Sequence, residues 1–346
     1  MANLFACFWL MADVQQYINF SHQRGLALIT AMLVVAIAAT AAAYLSLDQQ
    51  IWLRQAQNIS DRAQAEVVRA GAEEWAITIL DKDINNSSID DLTENWAKPM
   101  PPLAVEGGQV MGSISDAQAR FNLNNLVRNN TPSPPDIGTF QHLLQSLSLD
   151  PNLTDAVIDW IDADSNASAY GAEDIDYLQL KIPYRAANQP MQSVDELRLV
   201  RGFTRDIVEK LRPLITVLPQ PTEINVNTAK KEVLGALFYT LTASDIEQLM
   251  SKVPYKDPGS LTQKLQELAA GKQLPQAFFG VKSSYFEVTV DTLFGRYRRT
   301  TQSLIVRPGG KGGTRVLGHS QRLPTSTTVP TTTSTGNSPP TSGEKI

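Results

Sequence analysis

The stretch HQRGLALITAMLVVAIAATAAAYLSL, residues 22–47, decides how the rest of the chain is read. From Leu26 to Leu47 there is no charge, and Thr30, Thr40, Tyr44 and Ser46 are the only polar side chains in 22 residues. At about 1.5 Å per residue, such a helix crosses a hydrocarbon core of roughly 30 Å. A cleaved secretory signal is the alternative, with Ala41 and Ala43 as its small-residue site, although the apolar part of such a signal is usually only about 7–15 residues.

The residues after Leu47 argue for more than an anchor. Pro is absent from the first 98 residues, and Gly71 is the only Gly between Leu26 and Leu80, so nothing stops the helix at the membrane surface. Trp52, Ala56, Ile59, Ala63, Val67, Ala70 and Ile77 recur at steps of three and four. This spacing predicts one helix of up to about 80 Å, half in lipid and half packed on a soluble head.

The 346 residues are 42% hydrophobic, enough for one large or two medium folded units. A net charge of −5 weighs against a surface for nucleic acid or anionic lipid. Cys7 is the only cysteine and precedes Gly25, which excludes disulfide and thiolate chemistry from the body of the chain. Of three histidines, His22 lies in the leader and His319 in a low-complexity tail, leaving His142 for a folded domain. Ser-His-Asp and multi-His metal chemistry are thereby disfavoured.

Further along, GGQVMGSISDAQARFNLNNL, residues 107–126, reads as a strand around Val110 and Ser113 that ends in an Asn-rich turn. SSYFEVTVDTLFGRYRRTTQSLIVRP, residues 283–308, reads as a hairpin. Tyr285, Phe286, Val288 and Val290 precede a turn at Gly295, and Tyr297 to Val306 returns. The roughly 155 residues between these segments read as helical, which predicts an α-helical domain inserted into a small sheet.

Within the insert, eight carboxylates fall in 27 residues without a Lys or Arg: Asp150, Asp155, Asp159, Asp162, Asp164, Glu173, Asp174 and Asp176. Like charges at this density repel unless a cation or solvent relieves them. Asp162, Asp164, Asn166, Ser168, Tyr170 and Glu173 occupy places one, three, five, seven, nine and twelve of an EF-hand-style loop, whose alternate oxygen ligands curl around Ca²⁺. Ala167 stands where such loops want Gly, and Asp174 and Asp176 are further candidates. Arg185, Arg198 and Arg201 are placed to pair with the acidic loop, and Trp160, Tyr177 and Tyr184 to fill the core beneath it.

SVDELRLVRGFTRDIVEKL, residues 193–211, and INVNTAKKEVLGALFYTLTASDIEQLM, residues 224–250, are similar to helix-hairpin-helix repeats. Nucleic-acid binders of that kind carry paired hairpin glycines and basic residues. Gly202 stands alone and Gly235 falls inside a helix, so packing modules are the better reading. The run from Pro308 to Ile346 is rich in Gly, Ser, Thr and Pro, too poor in apolar residues to fold.

A polar leader ending in Gly before an apolar helix that runs into a head resembles the type IV prepilin class. That resemblance implies cleavage by prepilin peptidase between Gly25 and Leu26 and methylation of Leu26, with Met1 and Met11 both candidate starts. Most pilins carry Glu at the fifth residue after the cut, where this chain has Thr30. The missing Glu, the inserted helical domain and the acidic loop together resemble the minor pseudopilin K family of the type II secretion system, over residues 25 to about 307. The resemblance implies a non-enzymatic inner-membrane protein with a periplasmic head. It would assemble with minor pseudopilins I and J at the pseudopilus tip, have pseudopilin H and the major pseudopilin as further neighbours, and bind structural Ca²⁺ but no nucleic acid.

The expected fold is α+β: a pilin-like long N-terminal helix packed on a small antiparallel sheet, with a large inserted α-helical domain containing helix-hairpin-helix or SAM-like units. The expected divisions are a leader (1–25), a membrane segment (26–47), a first pilin-like part (48–121), the insert (122–280), closing strands (281–307) and a disordered tail (308–346). A membrane-anchored DNA-uptake protein and an anchored periplasmic hydrolase using Asp162 and Asp164 are the rival readings.

Overall fold

A computed structural model describes residues 23–308 and 313–322. The first 22 residues, hence nearly all of the leader, and residues 323–346 lie outside the described residues. The chain divides into two compact units, residues 1–61 and 62–346.

The first unit is helical from Gln23, where helix α1 (Gln23–Asn86) begins. Its N-terminal part is long and apolar enough to cross a membrane, and its side chains from Leu26 to Leu47 are exposed. Thr30 Oγ1 donates to Ala27 O at 3.0 Å, so its hydroxyl is satisfied within its own helix.

In the second unit the last turns of α1 lie on a five-stranded antiparallel sheet of β1 (Met100–Val105), β2 (Gly108–Asp116), β9 (Tyr285–Phe294), β10 (Tyr297–Val306) and β11 (Arg315–Arg322), adjacent in that order. Strand β1 (Met100–Val105) leads through a turn at Gly107, whose φ of +78° suits glycine, into β2 (Gly108–Asp116). The chain then leaves the sheet for the insert. There, β3 (Phe121–Asn122) and the hairpin β4 (Val127–Arg128) and β5 (Thr131–Pro132) precede α2 (Pro134–Ser146), α3 (Leu153–Ile161), α4 (Asp174–Leu178) and α5 (Arg205–Leu211). Short strands β6 (Ile215–Thr216) and β7 (Ile224–Asn225) come before α6 (Lys231–Leu237), α7 (Ala243–Met250), α8 (Pro258–Ala269) and β8 (Phe279–Gly280). The hairpin β9 (Tyr285–Phe294) and β10 (Tyr297–Val306), then β11 (Arg315–Arg322), complete the sheet.

β9 alternates as an amphipathic strand should: Phe286, Val288 and Val290 are buried with Ala76, Leu80, Trp96, Val110 and Ile305 in the core under α1. A larger core fills the insert around Phe121, Phe140, Leu143, Trp160, Leu211 and Leu234. The two meet where β2 ends and β9 begins. Asp116, Asn225, Thr228 and Ser283 are all buried there and bonded to one another, beside the buried pair Asp90–Arg307.

Two sequence expectations are corrected. The tail does not lack structure throughout: β11 pairs with β10 from Thr300↔Arg322 to Val306↔Arg315, because alternation in RVLGHSQR survives inside a Gly- and Thr-rich stretch. Val316 packs on the core, and His319 Nε2 reaches Glu73 Oε1 at 3.1 Å. Pro101 and Pro102 lie in β1, an edge strand that tolerates missing N–H donors. The Asn-rich turn is buried: Asn122, Asn124 and Asn125 bond by their side chains to the backbone of Leu218, Met191 and Thr222.

The second correction concerns α1. The face it packs on the sheet is Ala65, Glu73, Ala76 and Leu80, while Val67 and Ala70 of the apolar stripe stay exposed. Glu73 is buried on that face because Arg69, Ser303 and His319 satisfy it.

Candidate functional site

The acidic loop hangs between α3 and α4. α3 is strongly amphipathic, with Ala156, Val157, Trp160 and Ile161 buried, and it delivers Asp159 and Asp162 at its last turn. Trp160, Tyr177 and Tyr184 form the expected aromatic cluster beneath, with centroids at 5.3 Å for Trp160–Tyr177 and for Tyr177–Tyr184.

Ligand oxygens of Asp162, Asp164 and Glu173 lie within 4.8 Å of one another. Asp162 is 8% and Glu173 3% exposed, yet Asp162 Oδ1 and both Glu173 carboxylate oxygens have no well-formed hydrogen bond. Burial first, then the neighbouring carboxylates, pushes Asp162 up to about 6 and Glu173 up to about 7. Buried, unpartnered anions converging on one point are costly unless a cation joins them.

The other spacing-predicted positions point elsewhere. The hydroxyl and N–H of Ser168 donate to Asp159 at 2.6 and 2.9 Å, and the Asn166 N–H donates to Asp164 Oδ1 at 2.8 Å. Tyr170 is 63% exposed, with its N–H on Asp155. Asp174 accepts from the Arg185 guanidinium and the Ala186 N–H. Asp176 accepts from the Glu173 N–H at the start of α4 and from Arg201, which also donates to Gly171 O. Arg198 does not serve the loop; it pairs with Asp195 and Glu209.

Asp159 is the part of the site that spacing missed. It is fully buried, its pKa is raised mainly by burial, and it ties the loop back to α3 through Ser168. Its signal was its place one helical turn before Asp162. Gly171 belongs with it, because a Cβ there would overlap the Asp159 carboxylate. The donor set around Asp162 is all oxygen, which suits a hard cation of the Ca²⁺ kind.

Neither hairpin-like segment carries a glycine pair. Gly202, at φ +85°, packs against Leu153, and its first helix is a 3₁₀ segment, Val194–Leu199. The link from α6 to α7, residues 238–242, contains no glycine to bring backbone N–H groups to a phosphate.

A helix rising from an apolar segment onto a small antiparallel sheet, with a helical domain spliced between β2 and β9, defines a pilin-type assembly subunit with an inserted domain. The chain belongs to the type II secretion system protein K family. The family profile "Type II secretion system (T2SS), protein K" matches residues 119–220. The chain is 34% identical to the type II secretion system protein K of Pseudomonas aeruginosa, over 85% of this chain and 92% of the relative. It is likewise 34% identical to that of Pectobacterium carotovorum, over 84% and 94%. One chain of the crystal structure of the GspK-GspI-GspJ complex from the enterotoxigenic Escherichia coli type 2 secretion system superposes with a TM-score of 0.68, at 26% identity, over 78% of this chain and all of that one.

Proposed function

We propose that this chain is a non-enzymatic minor pseudopilin that sits with minor pseudopilins I and J at the tip of a pseudopilus. It starts or limits fibre assembly for the export of folded proteins. Prepilin peptidase cuts between Gly25 and Leu26, residues 26–47 hold the protein in the inner membrane, and the head lies in the periplasm. The observation that carries this reading is the helical domain inserted between β2 and β9 of a pilin-like head. A head of that bulk clashes with a subunit stacked beyond it. Thr30 supports the same conclusion, since its hydroxyl is spent on Ala27 O and offers no carboxylate to a neighbour's terminal amine.

Ca²⁺ held by Asp162, Asp164 and Glu173 neutralises the buried anions and fixes the end of α3 to the start of α4. Asp159 orients the loop by holding Ser168. This role is structural, with no reacting group beside it.

Intact mass of the protein expressed with and without prepilin peptidase tests the reading. Loss of the leader through Gly25 with one added methyl group supports it, and a full-length mass or a cut near Ala43 overturns it. The tip role is tested by Thr30→Glu, which should admit the protein along the shaft. Unchanged tip-only labelling counts against that account.

A further inference from the structure

Helices normally close onto sheets as side chains interdigitate, but α1 and the sheet leave a gap beside β2. Gly112, on the face of β2 turned towards α1, supplies no side chain there, and a hollow of about 360 Å³ remains, walled by Trp75, Ile79, Trp96, Met100, Ile114 and Val290. An apolar cavity of about 150 Å³ admits benzene, so this one has room for a large side chain together with its backbone. Trp75 stands 51% exposed at the rim, the kind of residue that dominates binding when covered. Lys98 is the only charged lining residue, and its Nζ donates to Asn95 Oδ1 at 3.0 Å.

Ile79 and Asn95 also line a second hollow, of about 470 Å³, whose walls are polar and include Lys82, Asp83, Thr93 and Glu94. Oxygens of Asp83, Asp90 and Glu94 lie within 4.8 Å of one another around it. The Arg307 guanidinium, itself buried, is divided between Asp83 and Asp90. Glu94 accepts only the Trp96 indole N–H and the Asp91 N–H, and has no ion-pair partner among the described residues. Burial, opposed by the Arg307 bond and reinforced by the Glu94 and Asp90 carboxylates, pushes Asp83 up to about 6. The second hollow is short of positive charge.

We propose that this two-part groove docks a segment of a partner subunit, which seats one large apolar side chain among Trp75, Trp96 and Met100 and sets a Lys or Arg against Asp83 and Glu94. The proposal rests on the reading of this chain as a pseudopilin that assembles with minor pseudopilins I and J. A divalent ion would meet the acidic half alone and leave Trp75 bare. A second copy of this chain carries its own net charge of −5 and is repelled by the acidic half.

The test uses the full-length chain, purified in detergent and titrated with minor pseudopilins I and J. Ala72→Trp, at a half-buried position on the α1 wall, fills the apolar hollow and should weaken binding about tenfold. Lys82→Glu, on the exposed face of α1, deepens the negative field and should tighten it about threefold. Melting temperatures of both variants report whether the fold is intact, and Lys82→Glu carries the test if Ala72→Trp unfolds. Wild-type binding that neither variant alters overturns the groove while leaving the pseudopilin reading in place. No wild-type binding overturns that reading, and the proposal with it. A photo-crosslinking residue at position 98, on the rim of the hollow, identifies the occupant. A partner peptide with an apolar side chain beside Lys or Arg supports the proposal, and a second copy or a phospholipid overturns it.

Discussion

Ser283 Oγ donates to Asp116 Oδ2 at 2.6 Å, joining two residues 167 positions apart in sequence. Asp116 is the last residue of β2 before the insert, and Ser283 lies just ahead of β9 after it. Thr228 Oγ1 and Asn225 Nδ2, from within the insert, donate to the same oxygen at 2.6 and 3.0 Å, and the Gln118 N–H reaches Oδ1 at 2.7 Å. One carboxylate therefore closes the entrance, the exit and the interior of the inserted domain.

The first prediction tests that closure. Asp116→Ala strands the Ser283 hydroxyl and the Gln118 N–H in a buried site and leaves Thr228 only its longer bond to Asn225 O, while Asn225 keeps Asp90 O and Ser283 Oγ; each orphan costs about 1–3 kcal/mol. The expected loss is about 3 kcal/mol in chemical denaturation of the full chain. A loss under about 0.5 kcal/mol would mean that water satisfies these donors, and the insert would then be held by its apolar core alone.

The acidic loop predicts an unusual pH dependence. Folded Asp162 and Glu173, without an ion, titrate at about 6 and about 7, above their ordinary values of 3.8 and 4.5. Between about pH 4 and 7 the folded chain then binds more protons than the unfolded one, so this contribution to stability falls as pH rises. Ca²⁺ binds the deprotonated groups and reverses the trend. Melting in Ca²⁺ against chelator should differ by at least about 2–4 °C at pH 7.5, as for 1 kcal/mol in a domain of this size. That difference should vanish towards pH 5. A gap that does not change with pH places the ion elsewhere.

How much of this is legible in the sequence depends on where each signal lies. The β9–β10 hairpin and the spliced insert can be read because alternation and helical spacing are local patterns. The convergence of Asp162, Asp164 and Glu173 comes from loop spacing. Asp159 and Gly171 do not, because their contact depends on how the loop folds back over α3. The packed face of α1 is misread for a related reason: Val67 is more apolar than Glu73, and only Arg69, Ser303 and His319, drawn from three elements, make Glu73 the inward residue. β11 is hidden by the Gly, Lys and Thr residues around it.

Paired glycine substitutions separate these local and folded-back effects. Gly171→Ala puts a methyl group into the Asp159 carboxylate and should both destabilise the chain by about 2 kcal/mol, as overpacking does, and abolish the melting response to Ca²⁺. Gly235→Ala faces open space inside α6 and should stabilise by about 0.5–1 kcal/mol. Equal effects at the two sites would show that backbone entropy, and not the fit against Asp159, governs position 171.

The last prediction concerns the C-terminal strand. A chain ending after Arg322 keeps β11, its pairing with β10, the His319–Glu73 contact and the Thr314–Asp81 bond. A chain ending after Pro308 loses all of these, exposes the edge of β10, uncovers the core beside Val316 and leaves the buried Glu73 with only Arg69 and Ser303. Thermal melting should leave the first truncation within about 1 °C of the intact chain and lower the second by about 4–8 °C, the shift for about 2 kcal/mol at 2–4 °C each. If the two melt alike, β11 contributes nothing to the sheet, and its seven-pair register with β10 is a contact without energetic weight.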